Sequence, residues 1–479
     1  MLTAPPEPLT AGRFVFRFFL VPCMMPPPSL PRRQWLSTLV AAGLVRAPAP
    51  ASAFADEPDV FLPQRHPLLI TDNPVIAAAR DAGLAVLQPS QADLHRGLTL
   101  HHESFVFDFY GFAPRAALDV GQMTAAIQAG ASPQELDDLT EELAMLGALQ
   151  QPAERRELAE AFACSGVTAL FQNAGEESQD PLRLLKRLAR FTHLGDQLRE
   201  HLVRATAPDD LTAARTNGKH ALYLTGNGVP LRGQFQTVEE ELGSIRLFHQ
   251  LGLRMMHVTY NRRNLLGDGC AEKSNGGLSD LGRAAIAEMN RVGVIVDVAH
   301  SGWRTSLEAA QASTRPMVAS HTTCAGLQHH VRAKPDEVVR AICETGGLIG
   351  ICWIAPFLQG TGDLAALLDH IDYAIRRFGS EHVAVGTDVA HLSQHNAAAV
   401  KQIPPRAPSR TRYEALWPEG ALGGNWPRAN SLAWTNWPLL TVGLVQRGHS
   451  DGTIRRILGE NALRVCRANH LAPANPATP

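Results

Sequence analysis

The chain has 479 residues, of which 45% are hydrophobic and 19% charged, a globular composition with material for a large core. Its formal net charge is −2, and no basic stripe breaks that balance, which excludes the usual electrostatic footprint of a nucleic-acid-binding protein. No apolar run reaches the roughly 18–20 residues that a membrane-spanning helix needs.

In chain order, the first feature is a candidate export signal. Arg32-Arg33 precedes the short apolar stretch Leu36–Val45, and the small-x-small site Ala53-Phe54-Ala55 is followed by Asp56-Glu57. A basic pair, a short apolar region and an A-x-A site, in that order, predict a leader and twin-arginine (Tat) signal over residues 1–55 and a periplasmic or secreted protein. Met24 or Met25 offers a second start. Residues 56–103 read as an irregular lead-in. Of seven cysteines, Cys23 falls in the leader, and no Cys-x-x-Cys pair exists, which argues against a structural zinc knuckle. Cys343 and Cys352 read as free thiols on a helix and a strand.

A repeating pattern begins near residue 104: a short apolar run, a turn, then a helical segment. The runs are Phe105–Phe109, Val167–Phe171, His220–Leu224, Met255–Tyr260, Val294–Val298, Met317–Ser320, Leu348–Trp353 and His382–Gly386. Eight nearly continuous apolar strands alternating with helices predict an α/β fold, a parallel TIM (β/α)8 barrel over 104–470. Val238–Leu251 has Val238, Leu242 and Ile245 on one helical face; Leu281–Val292 and Pro335–Thr345 are similar. An open doubly wound sheet would want a glycine-rich loop after its first strand, and Phe109-Tyr110-Gly111-Phe112 is not one. Residues 392–434, rich in Pro, Arg, Trp and Gly, interrupt the rhythm after the eighth strand and read as an insertion or lid. A helical stretch from Pro438 to about Arg467 closes the fold, and 471–479 reads as a disordered tail.

In such a barrel the chemistry lies at the C-terminal ends of the strands. His300 follows the fifth strand, His321 ends the sixth and Asp388 ends the eighth, with His391 just beyond. Two imidazoles and a carboxylate on one rim form a metal-hydrolase arrangement, because Zn²⁺ bound by such groups lowers the pKa of its water to about 7. His101 and His102 precede the first strand, at the wrong end of the barrel, and read as surface residues. Asp108 reads as a residue that caps or pairs near the strand end, and Trp303 and Trp353 as wall or core.

The motifs GLRMMHVTYNRRN (252–264), GVIVDVAHSGWRT (293–305), PMVASHTTCAGL (316–327), HHVRAKPDE (329–337), GGLIGI (346–351), DHIDYAIRRFGSEHVAVGTD (369–388) and LLTVGLVQRGHSDGTIRRILGENALRVCR (439–467) together resemble the membrane, or renal, dipeptidases of peptidase family M19. The resemblance runs in order from about Ser104 to Arg467. It implies a two-zinc hydrolase of the metallo-dependent amidohydrolase type acting on dipeptides. Its implied ligands are a His-x-Asp pair after the first strand, a bridging Glu after the third, a His after each of the fifth and sixth, and an Asp after the eighth. It also implies a His after the fourth strand that contacts the reacting carbonyl, and an Arg that grips the substrate carboxylate.

Carried over position by position, His300, His321 and Asp388 match ligands and Arg332 matches the carboxylate-binding Arg. Tyr110 and Phe112 stand in place of the His-x-Asp pair, Thr225 in place of the bridging Glu, and Tyr260 in place of the fourth-strand His. Phe112 cannot bind a metal, and neutral Thr225 cannot bridge two cations whose mutual repulsion needs negative charge between them. One zinc ion is therefore expected rather than two, held by His300, His321 and Asp388, with His391 as a replacement ligand; His329 and His330 are weaker candidates. Asp388 is expected to act as base and the Tyr260 hydroxyl to polarise a carbonyl. The expected partner is a small peptide-like substrate with a free carboxylate; no nucleic acid or membrane span is expected, and a homodimer is compatible with the resemblance. Two alternatives remain open: a non-hydrolytic periplasmic binding or maturation protein on the same barrel, and a scaffold pseudoenzyme.

Overall fold

The computed structural model describes residues 66–175, 180–233, 237–406 and 416–471. The twin-arginine segment, the Ala53-Phe54-Ala55 site and the tail from residue 472 lie outside the described residues. Among the described residues no helix is long and apolar enough to cross a membrane.

The apolar runs form the barrel strands β1 (Phe107–Gly111), β2 (Ala169–Asn173), β4 (His220–Gly226), β5 (Leu253–His257), β6 (Ile295–Asp297), β7 (Val318–Cys324), β9 (Leu348–Ile351) and β10 (Val383–Val385). They pair in parallel in the order β1-β2-β4-β5-β6-β7-β9-β10, an eight-stranded parallel barrel in nearly closed form. Two short strands are additional: β3 (Leu202–Ala205) pairs with β4, and β8 (Ala333–Lys334) pairs with β7. The rim between β10 and β1 is tied through Asp108. The Thr387 amide donates to its Oδ1 at 2.9 Å, and the Thr387 hydroxyl and Trp434 Nε1 donate to its Oδ2 at 2.7 and 2.9 Å. A Cβ on Gly111 would meet Asp108 Oδ2 at 2.4 Å, so the carboxylate can sit inside this strand end only because residue 111 has no side chain.

Connecting helices follow their sequence signals. Asp280–Val292 starts at the Ser279 cap and ends at Gly293, whose φ of 86° is the left-handed conformation glycine accepts. Val238–Gln250 starts at Thr237. Ile245 on that helix is buried, but Val238, its first residue, is 45% exposed; the expected three-residue apolar face is shorter than its spacing suggests.

Residues 74–103 are not irregular. They form helices Pro74–Leu87 and Gln91–Glu103, capped by Asn73 and Ser90. The second crosses Trp437–Gln446 closely, and a Cβ on Gly97 would lie 2.6 Å from Val442 Cα. His101, expected at the surface, is buried in this contact: Nδ1 meets Thr441 Oγ1 at 2.7 Å and Nε2 meets the Ser165 carbonyl at 2.9 Å. Burial pushes its pKa down to about 4. His102 is exposed. The closing stretch is also not one helix. After Trp437–Gln446 the chain turns, then runs through Asp451–Arg455, a π-helical turn at Arg456–Glu460, and Asn461–Asn469.

Candidate metal and substrate site

Strand ends β5, β6 and β7 deliver the site. His257 closes β5 and Asp297 closes β6, and the two are register partners across the parallel pair. His321 lies within β7, and His300 stands in the turn after β6. The facing nitrogens His300 Nε2 and His321 Nε2 are 2.9 Å apart. Each ring is held from behind, His300 Nδ1 by Asn261 Oδ1 at 2.7 Å and His321 Nδ1 by Ser320 Oγ at 2.8 Å. The carboxamide oxygen only accepts, so His300 carries its proton on Nδ1 and offers a lone pair at Nε2. Burial, and then the Arg332 charge, hold both imidazoles well below the usual histidine range, so both are neutral and able to bind a metal. A back-bonded pair of imidazoles facing one point is the outer-shell arrangement of metal-ligating histidines.

Asp297 anchors the same corner. Its Oδ1 accepts from the Ala299 and Ser320 amides at 2.9 and 3.0 Å. Burial raises its pKa, but the His257 imidazole and the Ser320 hydrogen bonds outweigh that and hold the carboxyl below the ordinary range. His257 was not among the residues expected from sequence; it hides in the apolar run Met255–Tyr260, where it reads as a strand residue.

The substituted family positions are filled with aromatic rings. Tyr110 stacks on His321 with ring centres 3.8 Å apart, and its hydroxyl donates to Asn227 Oδ1. Tyr260 stacks on His300 at 3.9 Å. Thr225 is buried and donates to the Met255 carbonyl at 3.1 Å. Phe112 packs under the Arg115 guanidinium and lines a cavity of about 70 Å³ with Glu141 and Arg187.

Arg332 is fully buried beside this cluster. Its Nε donates to the Ala299 carbonyl and its Nη2 to the His321 carbonyl, at 3.3 and 2.9 Å. Its face lies on Phe357 and Trp417. Its Nη1 has no hydrogen-bond partner among the described residues. Lys334, also buried, donates to the Ser301 carbonyl, and burial pushes its pKa down to about 7. Arg332, a buried cation with no ion-pair partner among the described residues, makes this corner a receptor for an anion. Trp417, from the 392–434 segment, packs on Phe357 and edges toward Tyr260 and His300. His330 stacks on Phe357 and its Nε2 meets the Ala421 carbonyl. Trp353 packs against Trp437 in the core.

One expected ligand, His391, lies apart from this cluster. His391 turns outward to Glu157, with Nε2 2.9 Å from Oε1, because the chain after β10 docks on helix Pro152–Ser165. Asp388, in the left-handed region at φ 58°, joins neither grouping of three or more possible ligands among the described residues. The second such grouping, Glu154, Glu157 and His395, has its carboxylates occupied by protein donors: Ala117 N, Asn73 Nδ2, Ser393 Oγ and Gln394 N. Burial raises the Glu157 pKa, but the hydrogen bonds from His391, Gln394 and Asn73 outweigh it and bring it to about 2. Because the folded pKa is depressed, the stability it contributes is present above about pH 4.5 and lost as pH falls toward 2. Glu157→Gln is expected to lower stability at pH 7 by about 1–3 kcal/mol and to flatten the acid limb of the melting profile. Calorimetry between pH 2 and 7 checks this, and an unchanged acid limb counts against the latch.

A family model described as membrane dipeptidase (peptidase family M19) matches residues 133–402, more than half of the chain. The chain belongs to this family. The dipeptidase tcpJ of Claviceps purpurea is 26% identical over 274 residues, which cover 56% of this chain and 55% of that protein. The chain thus spans about half the length of the curated relatives it matches. Among solved structures, an amidohydrolase from Pseudomonas aeruginosa aligns over 78% of this chain and 98% of its own, with TM-score 0.55 and 24% identity. A metallopeptidase from Rhodobacter sphaeroides, bound to a phosphinate mimic of the dipeptide L-Ala-D-Ala, aligns over 77% and 100%, with TM-score 0.55 and 17% identity. Both likenesses concern the fold. Of the membrane dipeptidase positions carried over from sequence, His300, His321 and Arg332 meet at one corner of the barrel mouth, Asp388 is retained, and Tyr110, Phe112, Thr225 and Tyr260 stand at the other four. The donors remaining do not fit a two-metal centre, since no carboxylate stands at the bridging position. They do fit one ion, as two facing, neutral, back-bonded imidazoles.

Proposed function

We propose that this chain is an exported amide hydrolase of the dipeptidase type, cleaving dipeptides or a related small amide that carries a free carboxylate, with at most one metal ion. The observation that carries this reading is Arg332, a buried guanidinium held by two carbonyls with Nη1 turned to no partner among the described residues, next to the His300–His321 pair. A substrate carboxylate supplies what Nη1 lacks. The family relatives named as dipeptidases, and the neighbour bound to a dipeptide mimic, support the same substrate class. Zinc suits the nitrogen-rich donor set and supplies an activated water when bound. Arg332 orients the substrate, the Tyr260 hydroxyl polarises the scissile carbonyl, and Asp388 accepts a proton. Because His300, His321 and Arg332 are 0–2% exposed, substrate enters when the wall formed by Trp417 shifts aside. The Arg32-Arg33 signal supports delivery to the periplasm by the Tat route.

Full-length protein supplied with Zn²⁺, Mn²⁺ or Co²⁺ is expected to turn over members of a dipeptide panel that includes D-residue C-termini. Asp388→Asn is expected to lower kcat by about 100-fold or more, within the range for loss of a general base. One observation favours a second reading: the tyrosine rings stacked on both histidines close the mouth, as in a non-hydrolytic binding or maturation protein. No turnover with any of the three metals, together with saturable dipeptide binding, decides for that reading.

A further inference from the structure

The lost family ligands leave His300 and His321 one or two donors short, and the sequence supplies the missing ones from an unexpected place. His257, Asp297 and His321 each put a ligand atom within 4.8 Å of the others, and all three are buried. His257 and Asp297 stand at one height because β5 and β6 pair His257 with Asp297 in register. His257 Nε2 and Asp297 Oδ2 are 2.7 Å apart, yet the ring N–H is not aligned on the oxygen, and both atoms lack a hydrogen-bond partner among the described residues. His257 Nδ1 lacks one too. A fully buried imidazole and carboxylate oxygen left this way carry a large desolvation cost. Misaligned contact is what two donors show when they aim at a third point rather than at each other.

The remaining geometry fits that point. The His257 ring centre is 5.4 Å from that of His321 and 5.2 Å from that of His300. Donors that share an ion at about 2.0–2.2 Å lie up to about 4 Å apart, so the 4.8 Å bound on His257, Asp297 and His321 closes with small side-chain rotations, and His300 Nε2 stands 2.9 Å from His321 Nε2. Asp297 Oδ1 is fixed by two amides, which leaves Oδ2 as the ligand atom and holds it in place.

We propose that His257 and Asp297 replace the lost ligands and, with His321 and His300, hold a single divalent cation of the zinc type between the ends of β5, β6 and β7. The set is three imidazoles and one carboxylate, a borderline donor mixture that suits Zn²⁺ or Co²⁺ rather than Mg²⁺ or Ca²⁺. It moves the metal toward β5, away from His391. The proposal deepens the hydrolase reading by naming the ligands of its metal, and it stands or fails by metal binding alone.

The test uses full-length protein freed of metal with chelator and titrated with CoCl₂. One Co²⁺ per chain is expected, with the intense visible bands of a four- or five-coordinate ion. X-ray absorption of the zinc-loaded wild type is expected to count three imidazoles, a measurement that needs no variant to fold. His257→Gln is expected to weaken Co²⁺ binding by about 100-fold or more, the upper end of what even outer-shell changes cost, whereas His391→Gln keeps wild-type affinity. Two bound ions, no bound ion, a count of two imidazoles, or wild-type affinity in His257→Gln would each overturn the assignment. No bound ion in a protein that still turns over dipeptides would overturn it while leaving the hydrolase reading standing. Tight binding through His257 without turnover would do the reverse.

Discussion

Replacing Arg332 by Met is expected to lower kcat/KM for a free dipeptide by about 100-fold or more, most of it in KM, while stability changes by no more than about 2 kcal/mol. Truncating one partner of a buried, hydrogen-bonded charge pair costs about 2–5 kcal/mol of binding, and each 1.4 kcal/mol is about tenfold. The stability change is smaller because Arg332 has no carboxylate partner among the described residues. Its burial is a standing cost in the free protein, and an apolar side chain of similar length removes that cost while losing the bonds to Ala299 and His321. The two effects separate a substrate-binding arginine from a structural one. Dipeptides amidated at the C-terminus supply the control. Wild type should process them poorly, and Arg332→Met should process them no worse than wild type does. If the variant loses activity equally on free and amidated substrates, Arg332 is not the carboxylate receptor.

Asp108→Ala is expected to be the most damaging single change to the fold, at about 3–5 kcal/mol. Asp108 is 0% exposed, and its removal strands the Thr387 amide, the Thr387 hydroxyl and Trp434 Nε1 where β10 returns to β1. Each stranded donor costs about 1–3 kcal/mol, with some of the sum recovered by relaxation. Burial is the main cause that pushes the Asp108 pKa up to about 7, despite hydrogen bonds that pull it down. A carboxyl raised in the folded state contributes stability that is full below the unfolded value near 3.8 and lost as pH rises through about 7. Asp108→Asn, which cannot ionise, should therefore lose the downward slope of Tm between pH 4 and 7. Denaturant melts at several pH values measure both effects; a wild-type slope in Asp108→Asn would mean that another group titrates there.

The barrel was legible because its strands are largely buried and read as short apolar runs that alternate with longer helical segments. His300, His321 and Arg332 were legible because they stand at strand ends in recognisable strings. His257 was not, since a histidine inside Met255–Tyr260 gains meaning only when β5 and β6 pair in register opposite Asp297, a fact of tertiary structure. His391 misled for the converse reason. Three residues past Asp388 placed it near the rim, but direction is set by Glu157, more than two hundred positions earlier in the chain. The helices at 74–103 do carry a local signal, an Asn-Pro start at Asn73 and a serine cap at Ser90. His101 followed them into error, because a residue outside the barrel looks superficial until the helix that covers it is known.

That cover sets the order in which the molecule can be completed. His101 bonds Thr441 across 340 positions of chain, and Gly97 waits for Val442. At roughly 5–20 residues per second of synthesis, the first helices stand without their partner for on the order of tens of seconds. A nascent chain cut short before residue 437 leaves these helices with an uncovered face, a handle for chaperones and proteases.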